Sequence, residues 1–157
     1  MRLSIIAVGK IKAQYAQSGC SEFLKRLGRF HKVDHIEIRD VRRGRSGNTE
    51  AYKQSEADAL LKHVPKGTLL VALDENGAQW SSRELARWID KKKTRGVSSL
   101  AFVLGGPDGH AESLLKAADH TWSLGRLTLP HELARLVLLE QLYRAASLLA
   151  GHPYHRD

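Results

Sequence analysis

The chain has 157 residues, is 42% hydrophobic and 27% charged, and carries a formal net charge of +8. That length suits a single domain over 1–157 with an ordinary core. No run of about 18 apolar residues is present to span a membrane, and the lone Cys20 cannot form an intramolecular disulfide, which fits a reducing cytoplasm. The positive charge is uneven: residues 1–50 hold 11 Lys/Arg against 5 Asp/Glu, residues 51–100 hold 9 against 6, and residues 101–157 hold 5 against 6. The densest block, Arg39–Arg45, suits a polyanion, since each neutralised phosphate releases counterions, but also an ordinary solvated surface.

In chain order, Arg2–Val8 alternates and then runs apolar, which predicts a buried strand and not a signal peptide. Tyr15–Phe30 carries Phe23, Leu24 and Leu27 at helical spacing. Val33–Arg39 alternates as a second strand with one polar face. The basic loop 41–47 follows, and Asn48 or Thr49 caps a helix that runs to about Val64, where Pro65 and Gly67 stop it. Thr68–Leu73 is a short, continuous apolar run, as expected of a strand buried on both faces. Asp74–Gly77 reads as a turn. Ser81 and Glu84 form a capping box for a helix to Thr94, whose basic end Lys91–Arg95 complements the helix dipole. Ser98–Leu104 is another buried strand, Gly105–Gly109 a tight turn, His110–Ala118 a helix and His120–Ser123 a short strand. Pro130 opens the longest helix, in which 12 of the 19 residues from His131 to Leu149 are Ala, Val, Leu or Tyr. That is wider than the stripe one sheet face requires, and it predicts a second buried face, expected against another subunit. Strands alternating with helices predict an α/β fold with a mostly parallel sheet and helices on both faces.

Three stretches carry candidate chemistry. Gly105-Gly106-Pro107-Asp108-Gly109 follows a buried strand, where ligands of open α/β sheets bind and where glycines let a ligand approach the backbone. It matches neither the dinucleotide fingerprint nor a P-loop, and it also serves as a plain strand-to-helix turn. Leu73 is either a core leucine or a wall of the same crevice. Trp122–His131 is a leucine-rich loop, which is unusual because loops are normally polar; its leucines bury either the chain's own core or a ligand. The tail His152-Pro153-Tyr154-His155 offers a base, a stacking ring and, with Arg156, a phosphate fork. A metal reading of the histidines fails for want of a third or fourth ligand. Arg144 can pair with Glu140 at i,i+4 or face a partner, and Arg135 on the same helix invites the second reading.

Taken together, FVLGGPDG, WSLGRLTLPHELAR, EQLYRA and HPYHR, in this order and spacing, resemble the RlmH family of SPOUT-class methyltransferases. The resemblance runs through the whole chain, and the AVGK start and the basic first third also fit. It implies an α/β trefoil knot in the C-terminal half, a homodimer, and S-adenosyl-L-methionine as methyl donor. It implies methylation of N3 of a pseudouridine in 23S ribosomal RNA, in the 70S ribosome or large subunit. Carried over by position, it places the cofactor against Leu73, Gly105, Gly106 and the loop Leu124, Gly125, Arg126, Leu127, Thr128 and Leu129. The tail would complete the site across the dimer interface, with His155 as base, Tyr154 against the substrate ring and Arg144 on phosphate or a ring oxygen. His131 and His152 would lie nearby. Gly125 stands where serine is expected, and Asp108 where glutamate is common. The alternative is a non-enzymatic rRNA-binding ribosome-assembly factor using the same basic face.

Overall fold

A computed structural model describes residues 1–41 and 47–155. Five strands, β1 (Arg2–Val8), β2 (Lys32–Ile38), β3 (Leu69–Gln79), β4 (Ser99–Leu104) and β5 (His120–Ser123), alternate with five helices. The helices are α1 (Gln14–Leu27), α2 (Thr49–Lys62), α3 (Ser82–Thr94), α4 (Glu112–Ala117) and α5 (His131–Leu149). All strand pairs are parallel, in the order β2-β1-β4-β3-β5.

The period of two along each strand divides the apolar residues between two cores. Leu3, Ile5, Val71, Leu100 and Phe102 face α1, α3 and α5, whereas Ile6, Val8, Ala72, Ala101 and Val103 face α2 and α4. This two-sided burial is why β1, β3 and β4 read as continuous apolar runs. The capping box is present, with Ser81 Oγ accepting from Glu84 N and Glu84 Oε2 accepting from Ser81 N at 2.7 Å.

Several boundaries differ from the sequence expectation. Asp74–Gly77 is a bulge within β3 and does not end the strand: Leu73 and Ala78 both pair with Trp122. The turn chemistry survives locally, since Asp74 Oδ1 accepts from Asn76 N at 2.9 Å. Gly77 lets the returning chain lie against β5; a Cβ there would sit 2.6 Å from Trp122 N. The fourth helix starts at Glu112, two residues later than expected, and leaves His110 outside it.

The wide apolar surface of α5 is accommodated largely within the chain. Tyr143 packs between Phe23 and Phe30 with ring centroids at 5.9 and 6.1 Å, and Ser82 Oγ donates to Gln141 on the α3 flank at 2.6 Å. Leu133, Val137, Arg144 and Leu148 remain half-buried. Arg135 does not face a partner. It is 1% exposed and donates to Glu37 Oε1 at 2.8 Å and to the carbonyls of Val8 and Gly9 at 3.1 and 2.9 Å, tying α5 to the end of β1. At the start of α5, the Glu132 carboxylate accepts from Lys12 N and Ala13 N at 3.1 and 2.9 Å.

Candidate functional site

A cleft of about 730 Å³ opens beyond the carboxyl ends of β3, β4 and β5, the place where open α/β sheets bind ligands. Its walls include Leu73 at the β3 bulge, Gly105 and Gly106 after β4, and the full loop Leu124, Gly125, Arg126, Leu127, Thr128 and Leu129 after β5. All nine positions expected to hold a cofactor thus line one cleft. Each reaches it as the continuation of a neighbouring parallel strand, which the sequence order of the motifs alone does not require.

The loop after β5 is built by short-range bonds. Ser123 Oγ donates to Gly125 O at 2.9 Å and accepts from Gly125 N at 3.2 Å. Gly125 has φ +137, a conformation in which a serine would be strained. This accounts for the glycine where serine was expected. Leu127 is 83% exposed, while Leu124 and Leu129 are half-buried. The apolar loop therefore does not serve the chain's own core alone.

Other residues of the cleft escaped the sequence reading. His110 is 6% exposed and lies beneath the glycine turn, its Nδ1 about 3.1 Å from where a Cβ on Gly105 would stand. Burial pushes the imidazole below its ordinary value, against the pull of Asp74 and of the carbonyls of Val103 and Leu73, so it is neutral at pH 7. A Cβ on Gly106 would meet the buried Glu56 carboxylate at 2.9 Å. Both glycines thus mark close packing, Gly105 against His110 of the cleft and Gly106 against Glu56, which does not line it. Asp74, Glu75, Asn76 and Gln79 supply polar groups on the β3 side, and His131, which the resemblance did place near the active site, lies on the α5 side. The only sequence signal for His110 was its place directly after the glycine turn.

The three residues expected to be catalytic form a separate cluster on the C-terminal half of α5. Gly151, at φ +67, turns the chain back, and His152 N donates to Ser147 O at 2.9 Å. Tyr154 then packs edge-on against Tyr143 with centroids 4.7 Å apart. Its hydroxyl donates to Glu140 Oε1 at 3.0 Å. Arg144 donates to the same carboxylate through Nε at 3.0 Å and through Nη2, stands 4.8 Å above the Tyr154 ring, and donates from Nη1 to His155 Nδ1 at 3.3 Å. Burial and the Glu140 bond raise the Tyr154 hydroxyl above its usual range, and the Glu140 bond raises Arg144. Glu140, read from sequence only as a helix ion-pair partner, is the hub of this cluster.

Neither Tyr154, His155 nor Arg144 lines the cleft of its own chain. Helix rise puts Arg144 about 20 Å along α5 from His131. No group of three metal-binding side chains occurs among the described residues. Of the basic block Arg39–Arg45, Arg42, Arg43 and Arg45 lie outside the described residues, as does Arg156 of the tail.

The sequence model of a family described as "predicted SPOUT methyltransferase" matches residues 1–155. This chain belongs to the SPOUT methyltransferase family. The "Ribosomal RNA large subunit methyltransferase H" of Deinococcus radiodurans is 48% identical over 156 residues, covering 99% of each chain. The protein of the same name from Acetivibrio thermocellus is 45% identical over 159 residues, covering 99% of this chain and 100% of that one. Among solved structures, a probable methyltransferase from Bordetella pertussis superposes with a TM-score of 0.56 at 14% identity, over 92% of this chain and 95% of that one. A probable methylase family protein from Haemophilus influenzae superposes with a TM-score of 0.54 at 11% identity, over 99% of this chain and 70% of that one. At these identities the two structures support the SPOUT methyltransferase fold alone.

Proposed function

We propose that this SPOUT methyltransferase moves the methyl group of S-adenosyl-L-methionine to N3 of a pseudouridine in 23S ribosomal RNA, acting as a cytoplasmic homodimer on the ribosome or its large subunit. The observation that carries the reading is the convergence of Leu73, Gly105, Gly106 and the 124–129 loop on one cleft. The relatives named as large-subunit rRNA methyltransferases over nearly their full length support the substrate class.

The cleft fits the donor. Its volume lies within the range of about 300–1,000 Å³ typical of small-molecule sites. Exposed Leu127 offers apolar surface to an adenine ring, the loop backbone offers donors and acceptors, and the Asp74–Asn76 side chains offer partners for hydroxyl or ammonium groups. When bound, S-adenosyl-L-methionine supplies a methyl already activated by its sulfonium. The protein's task is then alignment of the acceptor nitrogen with that methyl, and removal of the N3 proton.

The chain's own tail cluster stands away from its own cleft, which supports a site completed by the tail of a second copy. The half-buried apolar Leu133 and Val137 on α5 support the same arrangement. A guanidinium can only donate, so in this conformation His155 Nδ1 accepts from Arg144, and the neutral ring carries its hydrogen on Nε2. In the proposed reaction Arg144 moves to an RNA phosphate or ring oxygen. That releases His155 Nδ1 to take the N3 proton, while Tyr154, held by Glu140, presents its ring to the base. Calorimetry with S-adenosyl-L-methionine tests the first step, and its failure to bind would favour the non-enzymatic assembly factor. For the second step, His155→Ala is expected to lower the methylation rate of unmodified large subunits or ribosomes by about 10²-fold or more, and Tyr154→Phe, which keeps the ring but loses the Glu140 bond, to lower it by a smaller factor, while cofactor binding is retained in both. Full activity in both variants would remove the tail from the mechanism.

A further inference from the structure

α3 takes no part in the proposed methyl-transfer site, although this helix carries a regular line of cations. Arg83, Arg87, Lys91 and Arg95, which caps the helix, recur every four residues and are all exposed. Side chains four apart share a helix face, and each step rises about 6 Å. The four groups therefore form a ridge about 18 Å long, with a spacing comparable to that of successive phosphates along one strand. Among the acids of α3, Asp90 follows Arg87 by three residues, and Glu84, which senses the Arg87 charge, has its carboxylate engaged by Ser81 N and Oγ at 2.7 and 2.8 Å.

Helix stability explains only half of this ridge. Cations in the last turn complement the dipole, which accounts for Lys91. Arg83 lies in the first turn, where the dipole disfavours a cation, and Arg87 in the second turn gains nothing from it. Nor do these exposed side chains fill the core. The ridge also has a direction. Because α3 joins the parallel strands β3 and β4, it runs back against them. Its N-terminal end is therefore at the cleft end of the sheet, and Gln79 of the cleft wall precedes Arg83 by four residues.

We propose that Arg83, Arg87, Lys91 and Arg95 form a phosphate track that holds one RNA strand where it leaves the cleft. This rests on the reading that the substrate is RNA. Arginine forks suit phosphate oxygens, and such contacts set position and register without reading bases. A small catalytic domain that must hold a nucleotide in a cleft gains this anchoring without a separate RNA-binding module.

The test is the full-length double variant Arg87→Glu/Lys91→Glu, compared with wild type and with the charge-conserving Lys91→Arg. Filter binding to protein-free large-subunit rRNA at several salt concentrations is the main readout. The double variant should bind at least about tenfold more weakly, and the slope of log affinity against log salt should flatten by roughly 1.4–1.8 for two lost phosphate contacts. Its KM for large subunits should rise, with kcat and the calorimetric S-adenosyl-L-methionine affinity unchanged and the melting temperature lower by no more than a few degrees for the reversed charge at the helix end, and Lys91→Arg should behave as wild type. Equal RNA affinity and slope in the double variant and wild type would overturn the proposal. So would a raised KM for subunits with unchanged affinity for bare RNA, which would assign the ridge to a ribosomal protein. If wild type methylates no ribosomal substrate, the proposed reaction fails, while the filter-binding comparison still decides the ridge.

Discussion

Leu127 points its side chain into solvent at the rim of the cleft, 83% exposed, although it sits in a loop flanked by buried Trp122 and Ser123. An exposed leucine contributes almost nothing to folding, whereas covering it with a ligand is worth about 1.5–3 kcal/mol. Leu127→Ser should therefore leave the unliganded urea midpoint where it is and weaken S-adenosyl-L-methionine binding by about tenfold or more in calorimetry. A variant that loses stability without losing affinity would show the side chain to be structural. His31 makes the opposite case of a residue whose burial costs something. Burial, helped by the nearby N-terminal ammonium, lowers its imidazole from 6.5 to about 4.

At the scale of elements, two contacts decide whether the strands can hold the cleft. The β3 bulge lets residues 74–77 loop out over the cleft and return to the same partner, Trp122. Gly77 is what allows that return, because an added Cβ would meet the Trp122 backbone at 2.6 Å, with no flexible side chain to give way. Gly77→Ala should cost about 2–4 kcal/mol in urea unfolding and should also depress cofactor affinity, since Leu73 and the 124–129 loop both hang on this pairing. The second contact is buried Arg135, which donates to exposed Glu37 and to the Val8 and Gly9 carbonyls. Arg135→Met keeps much of the volume but leaves the two carbonyls without the guanidinium, while Glu37 Oε1 keeps the bond from Ile11 N. A loss of about 1–3 kcal/mol is expected, measured by the same denaturation. A neutral outcome would mean that water replaces the guanidinium.

For the whole molecule, four histidines are tuned in one direction. Burial lowers His31, His35, His110 and His120, so the folded state favours their neutral forms. Between pH 6.5 and about 4 the unfolded chain binds more protons than the folded one. Stability is therefore complete above pH 6.5 and lost as pH falls through this window. After discounting for partial exposure, His31 alone should account for on the order of 1–2 kcal/mol. Urea midpoints followed from pH 7.5 to 4.5 should fall, and His31→Phe should flatten that fall; an unchanged slope would refute the assignment. Association belongs to this scale as well. The stripe through Leu133 and Val137 stays half-open: α1 and α3 cover the flanks of α5, and among the described residues both side chains remain half-buried.

Local physical chemistry is short-ranged, and that is why the elements were legible in the sequence. The apolar runs at 2–8, 68–73 and 98–104 marked doubly buried strands, Ser81 with Glu84 marked a helix start, and the helix–strand alternation marked a parallel α/β sheet. The motif order carried the family, and the nine cleft positions came with it. What the sequence misplaced was also local in appearance. Asp-Glu-Asn-Gly has the composition of a turn, and only the register of β5 against both ends of β3 makes it a bulge. The width of α5's apolar surface predicted a partner, yet α1 and α3 supply much of the cover, because periodicity counts buried faces without saying what buries them. Tertiary structure alone set the rest. Parallel strand order brings Leu73, Gly105 and Leu127 to one cleft and draws His110 beneath the glycines. The same packing leaves Tyr154, His155 and Arg144 gathered on Glu140 at the far end of α5. Leu73, Gly105 and Leu127 stand tens of positions apart and meet only through the closing of the sheet, whereas the tail cluster joins residues 4–14 positions apart and depends on the turn at Gly151.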